Sequence, residues 1–172
     1  MITDGRNRTA NITQTDIEAT NGVVHVIDRV LLPANETVVQ TAEANPDFSI
    51  LVQAINAAGL GPTLSGTGPF TVFAPTNEAF ASLLTEVGMT QAQLLADTTL
   101  LTKVLTYHVI PALALKANIV PGTQPATVEG ETFSINSSLV ITDHGGRTAN
   151  ITATDILASN GVIHVIDKVL LP

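Results

Sequence analysis

Apolar residues at Phe48, Leu51, Val52 and Ile55 keep the i, i+3, i+4, i+7 spacing of one helical face, and Gly59 supplies a left-handed stop, so 46–59 reads as a helix. The same stripe returns at Phe80, Leu83, Leu84 and Val87, with Thr76 placed to cap the segment and Gly88 to end it. Thr90 and Asp97 stand as caps ahead of two further short helices, through Ala96 and Leu105. Gly, Pro, Ser and Thr crowd 60–69, which reads as a loop. Phe70-Thr71-Val72-Phe73-Ala74, β-branched and aromatic between prolines, reads as a short strand. Past Tyr107 the pattern turns strand-like, at Val128, Phe133-Ser134-Ile135, Leu139-Val140-Ile141, Asn150-Ile151-Thr152 and 161–171. Asn136-Ser137, Asp143-His144-Gly145-Gly146 and Asn160-Gly161 punctuate these runs as turns. Helices first and strands last is the α+β pattern. The final run, Val162-Ile163-His164-Val165-Ile166, is almost continuously apolar, as a strand buried on both faces would be.

The chain also repeats itself. Residues 2–33 align without gaps to 141–172 at a constant offset of 139, differing only at 5, 6, 7, 14, 18, 20, 24 and 29. Both copies end at the same proline, Pro33 and Pro172. A period near 139 is too long for a solenoid and fits separate domains in tandem. Residues 1–33 then represent the end of a preceding unit, and 34–172 one whole unit. A boundary accident with no biological role is the other reading of 1–33.

Composition narrows the function. The 172 residues are 45% hydrophobic but only 3% aromatic, so the core must be aliphatic and stacking surfaces for bases are lacking. Seven Lys and Arg against fifteen Asp and Glu give a net charge of −8. No concentrated basic face can be assembled from that set, which excludes nucleic acid and disfavours an anionic membrane surface. With no cysteine, neither disulfides nor thiolate chemistry enter. Polarity comes instead from 24 threonines, a composition common on exported proteins. No apolar run is long enough for a membrane-spanning helix, and residues 1–6 carry no leader pattern, so any export signal or anchor is expected outside these residues.

Two segments carry a resemblance: Thr71-Val72-Phe73-Ala74-Pro75-Thr76-Asn77-Glu78-Ala79-Phe80, and Asn160-Gly161-Val162-Ile163-His164-Val165-Ile166-Asp167-Lys168-Val169-Leu170. Together, with Tyr107-His108 between them, they resemble the two signature segments and the Tyr-His pair of the fasciclin (FAS1) domain family, over about 34–172. The resemblance implies a β-sandwich or wedge with several helices packed against it. It also implies an extracellular or surface-anchored module, often in tandem, acting in cell adhesion and matrix contact through a protein or glycan partner. In animal members the Tyr-His region and an Asp-Ile pair are implicated in integrin binding. Here these map to Tyr107, His108, Asp155 and Ile156, although nothing in the sequence carries the integrin itself over.

Each of these residues also has a structural reading. Tyr107 and His108 lie in an apolar run, where a polar group is usually one whose hydroxyl or imidazole bonds the backbone. Asp155 reads equally as the cap of a single helical turn before the last strand. His164 alternates with valine and isoleucine, and no His, Asp or Glu cluster lies at ligand spacing around it; Asp167 falls on the opposite face, and His144 reads as a surface turn residue. No nucleophile elbow, carboxylate pair or phosphate loop is present, and Gly66-Thr67-Gly68 lacks the lysine and helix that phosphate needs, so no catalytic residue, cofactor or metal is assigned. Glycosylation triplets begin at Asn7, Asn11, Asn35, Asn136 and Asn150, as a Thr- and Asn-rich chain produces by composition.

Adhesion is therefore the expected function, against a carrier of lipid or sugar in a cleft between helices and sandwich, or a plain spacer. One further expectation concerns the surplus segment. The body has one slot for closing strands and the chain holds two fillers, so 1–33 is a loose arm, half of a reciprocal arm-to-arm dimer, or an insert in a neighbour's slot; a packed arm is expected, with concentration-dependent self-association that vanishes when 1–33 are deleted.

Overall fold

The structure is a computed structural model and describes residues 1–6 and 8–172. Residues 1–33 fold on themselves. β1 (Ile2–Thr3) pairs antiparallel with β2 (Thr9–Ala10), and β3 (Ile12–Ala19) with β4 (Gly22–Ile27). The Asp4 carboxylate gathers the base of this arm. It accepts from the amides of Arg6, Arg8 and Leu32 at 2.9, 3.0 and 3.1 Å and meets the Arg8 guanidinium at 2.7 Å. Burial works against the charge, but the Arg8, Leu32 and Arg6 bonds outweigh it and hold the carboxyl well below the usual range.

The body begins at a capping box. Thr37 accepts from the Gln40 amide while the Gln40 side chain accepts from Thr37, opening α1 (Val38–Glu43). A 3₁₀ turn at Pro46–Phe48 leads into α2 (Ser49–Ala57), and Gly59 at φ 67° ends the run as its position predicted. The expected loop at 60–69 holds a one-turn helix, α3 (Gly61–Leu64), with Pro62 in its first turn, where a missing N–H costs nothing. Thr76, Thr90 and Asp97 cap α4 (Asn77–Val87), α5 (Gln91–Ala96) and α6 (Thr98–Tyr107), and Gly88 at φ 65° closes α4.

Six strands make one curled mixed sheet: β5 (Phe70–Pro75), β6 (Val109–Ile110), β7 (Ser134–Ile135), β8 (Val140–Thr142), β9 (Thr148–Ala158) and β10 (Gly161–Ile166), in the order β6-β5-β10-β9-β8-β7. Only β5 and β10 run parallel, from Gly161 opposite Phe70 to Ile166 opposite Pro75. β10 is thus hydrogen-bonded on both edges, and its two faces serve two cores. Val72, Ala74 and Ile163 meet Leu51, Ile55, Phe80 and Leu101 of the helices. Phe73, Ile166 and Leu170 meet Tyr107, Phe133 and Ile141 on the other side. There Phe133 takes edge contacts from Phe73 and Tyr107, with centroids 5.2 and 5.8 Å apart. The fold is α+β, and the closing strand is buried on both faces.

Two expectations need correction. Val128 forms no strand; it sits in a turn region beside a lone bridge between Ala126 and Thr132. Asp155 heads no helical turn before β10, because it lies within β9, which continues past it to Ala158. Within the single chain the closing hairpin and its duplicate in the arm differ in exposure. Val23, Val24, Val30 and Leu31 are 55%, 53%, 73% and 41% exposed, whereas their counterparts Val162, Ile163, Val169 and Leu170 are 0%, 1%, 2% and 1% exposed. The slot is taken by β9 and β10, and among the described residues these four side chains of the arm stay largely uncovered.

Candidate functional site

Tyr107 and His108 lie where α6 hands over to β6, and both are buried. The Tyr107 hydroxyl donates to the Thr132 carbonyl and accepts from the His144 amide, each at 3.0 Å. Burial raises its pKa; the His144 bond opposes this, while Asp143, Glu131 and Glu129 add to it. His108 contacts the Val104 carbonyl through Nδ1 at 2.7 Å and accepts from the Leu170 amide at Nε2, 2.9 Å. An amide can only donate, so Nε2 carries the lone pair and Nδ1 the proton: a neutral imidazole with both nitrogens used. Burial drives its pKa down to about 4, against the pull of the Val104 bond and the Asp143 charge.

Asp155 occupies a bulge of β9 and Ile156 follows it, opposite Ile163; both are half-buried. Asp155 adopts φ 61°, a conformation its short polar side chain tolerates. Its amide donates to His164 Nδ1 at 3.3 Å, and its carboxylate accepts from the Lys116 amide at 2.8 Å. The carboxylate therefore does cap a turn, the 3₁₀ turn Lys116–Asn118 that precedes it by 39 residues, and not one leading into β10. His164 completes the strap by donating from Nε2 to the Ala114 carbonyl at 2.8 Å. Burial lowers the pKa of this ring, opposed by the Ala114 bond and the Asp155 charge.

The two pairs do not form one surface. They are linked through the sheet: Phe73 donates its amide to the His108 carbonyl, and its ring lies 5.4 Å from that of His164. His144 is on the surface, facing Glu131 at 4.0 Å. Asp167 turns away from His164 and accepts from the Asn150 amide and side chain, both at 2.7 Å. Of the triplet asparagines, Asn7 falls outside the described residues.

Three polar residues escaped the pattern reading although they lock the body together. Asn160, read as a turn residue, accepts from the Val38 amide at 2.9 Å and donates to the Leu64 and Gly66 carbonyls at 2.8 and 2.9 Å, joining α1, α3 and β10. Thr71 bridges the Ala112 carbonyl and the Ala114 amide, at 2.6 and 2.9 Å. Asn77 accepts from the Ile50 amide and donates to the Pro46 carbonyl, fixing α2 to α4. Asn160 precedes a glycine, a usual turn signal, and that signal hid its long-range partners.

The hollows are informative. Crevices between the helices and the sheet measure only about 30 and 10 Å³. A larger hollow, about 920 Å³, is an open trough at the base of the arm, between Gly5, Pro33, Gly68, Leu113 and Leu157. Among the described residues no group of three His, Cys, Asp or Glu is arranged to hold a metal, and no helix is long and apolar enough to cross a membrane.

The fasciclin domain model matches residues 2–33 and 46–172. The chain belongs to the fasciclin domain family. Protein sll1483 of Synechocystis sp. is 42% identical over 150 residues, covering 86% of this chain and 79% of that protein. The transforming growth factor-beta-induced protein ig-h3 of Sus scrofa is 36% identical over 163 residues, covering 95% of this chain; the chain spans only 23% of that protein's length. In fold, this fasciclin chain matches a FAS1 domain pair from the insect cell adhesion molecule fasciclin I, with a TM-score of 0.71 at 23% identity, over 95% of this chain and 60% of that one.

Proposed function

We propose that this fasciclin chain is a non-enzymatic adhesion or matrix-contact module, displayed outside the cell as one unit of a tandem array, that recognises a protein or glycan through its surface. The observation that carries the reading is the filled interior. The crevices between helices and sheet, about 10 and 30 Å³, have room for a water or two and not for a lipid or sugar. Membership of the fasciclin family and the fold shared with a cell adhesion molecule support the class. Asp155 on the β9 bulge and Ile156 after it, both half-buried, are the contact residues, while Tyr107 and His108 act from inside by holding α6 against the closing segment. Weak contacts then gain strength by repetition along the array.

The test is attachment to surfaces coated with the purified chain, with matrix-protein and glycan arrays to identify the partner. Asp155→Asn, which keeps an oxygen for the Lys116 amide and tolerates φ 61°, is expected to reduce attachment several-fold with the melting temperature nearly kept. Attachment unchanged by that substitution, or a lipid that co-purifies with the folded chain, overturns the reading.

A further inference from the structure

β4 pairs with β3 on one side only, and the same chain shows what belongs on the other. Its duplicate β10 meets β5 there, in parallel. The two hairpins coincide in register at every pair. Ile12 opposite Ile27 corresponds to Ile151 opposite Ile166, Gln14 opposite Val26 to Ala153 opposite Val165, and Ile17 opposite Val24 to Ile156 opposite Ile163. Asp16 repeats the bulge of Asp155 at φ 58°, and its amide donates to His25 Nδ1 at 3.2 Å. The arm already has the shape that a fasciclin body accepts.

The residues that face the body in the closing copy persist in the arm, where, among the described residues, none of them bonds to a body. At Gly161 a methyl group would run into the backbone of Phe70; at Gly22 a methyl group would meet nothing within 4 Å. Asn160 makes three bonds to the body, His164 bonds Ala114 and the Leu170 amide bonds His108. Among the described residues, Asn21, His25 Nε2 and the Leu31 amide make none of these bonds. Seven of the eight differences between the copies avoid this face. At 144, 145, 146, 153, 159 and 168 the closing copy is exposed, and at 157 it is half-buried. Only Ile163 is buried, and there the arm has Val24, smaller by one methylene. One difference suits the arm to its linkage: a side chain at Gly5 would collide with the backbone at Pro33 and Ala34, where the arm runs on into the body.

We infer that residues 1–33 form a docking element for a second fasciclin body, one that lacks a closing hairpin of its own. β4 adds in parallel to that body's counterpart of β5, with Gly22 at the contact, Asn21 and His25 bonding its carbonyls, and the Leu31 amide bonding its buried histidine. The body of the same chain cannot be this partner while β10 fills it. The inference concerns assembly and stands whatever the module adheres to.

The test opens the slot in the full chain. Gly161→Ala keeps the arm but obstructs β10, so the arm of one molecule is expected to seat in the body of the next. Light scattering should show assembly that grows with concentration, and hydrogen exchange at Gly22–Ile27 should slow at least about tenfold. The double variant Gly22→Ala with Gly161→Ala, obstructed in both hairpins, should do neither. If Gly161→Ala loses its fold when dilute, raising the concentration should restore the near-ultraviolet signal in the single variant and not in the double. Identical behaviour of the two overturns the inference, whether both stay monomeric, both stay unfolded, or both associate through bare hairpins.

Discussion

Residues 1–33 and 141–172 are nearly the same sequence in opposite surroundings, and their comparison separates what is written locally from what is lent by the rest of the molecule. The hydrogen-bond skeletons agree. Asp28 takes the Asn11 amide and side chain, both at 2.8 Å, as Asp167 takes those of Asn150. Asp4 gathers Arg8 and Leu32 as Asp143 gathers Arg147 and Leu171. Turn, bulge and register therefore follow from 32 residues alone. Burial does not. A fully buried Val, Leu or Ile is worth about 1.5–3 kcal/mol, and the closing copy buries Val162, Ile163, Val169 and Leu170 while the arm leaves Val23, Val24, Val30 and Leu31 exposed. A lone two-stranded hairpin is marginal without such a face. Identical local design thus yields a keystone in one place and a bare arm in the other.

The largest break in this symmetry should come from a matched pair of truncations. Leu170→Ala removes a side chain wedged beside Phe73, Tyr107 and Phe133, and should cost about 2–5 kcal/mol in urea unfolding. Leu31→Ala should stay within about 0.5 kcal/mol. Equal costs would mean that the arm is packed in solution.

That asymmetry also explains what could be read without coordinates. The helices at 46–59 and 77–87, the stops at Gly59 and Gly88 and the doubly buried last strand were legible because each follows from period, cap or composition within a dozen residues. The Thr37 and Gln40 capping box was equally local, and α1 could have been found from it. Other features depended on distance in the chain. The carboxylate of Asp155 caps a turn 39 residues away, and Asn160 reaches Leu64 across 96. Sequence spacing contains no sign of either. The pair Tyr107 and His108 stood out as polar residues in an apolar run, but which backbone groups satisfy them depends on how β10 and the tail fold over α6.

A second expectation follows from His108, which grips the closing copy through the Leu170 amide. Its pKa is about 4 when folded against 6.5 for a free imidazole, so between these values the unfolded chain binds a proton that the folded chain refuses. Stability must then rise with pH across that window and fall as pH drops through it. The full difference corresponds to about 3 kcal/mol, with His164 adding in the same direction. Urea midpoints measured from pH 7 to pH 4 should show the decline. His108→Gln should lower stability at pH 7 and flatten the profile, and an undiminished slope in that variant would remove His108 as its source.

The smallest test exchanges the only buried difference between the copies. Ile163→Val gives the closing strand the arm's residue and deletes one methylene from a fully buried position, for an expected loss of about 0.5–1.5 kcal/mol. Val24→Ile gives the arm the closing strand's residue and adds that methylene to a side chain standing in water, so the unfolding midpoint should not move. The opposite result is the informative one. A gain from Val24→Ile would mean that position 24 is covered in the molecule as it exists in solution, and, because the chain's own slot is filled by β10, the cover would have to come from another molecule.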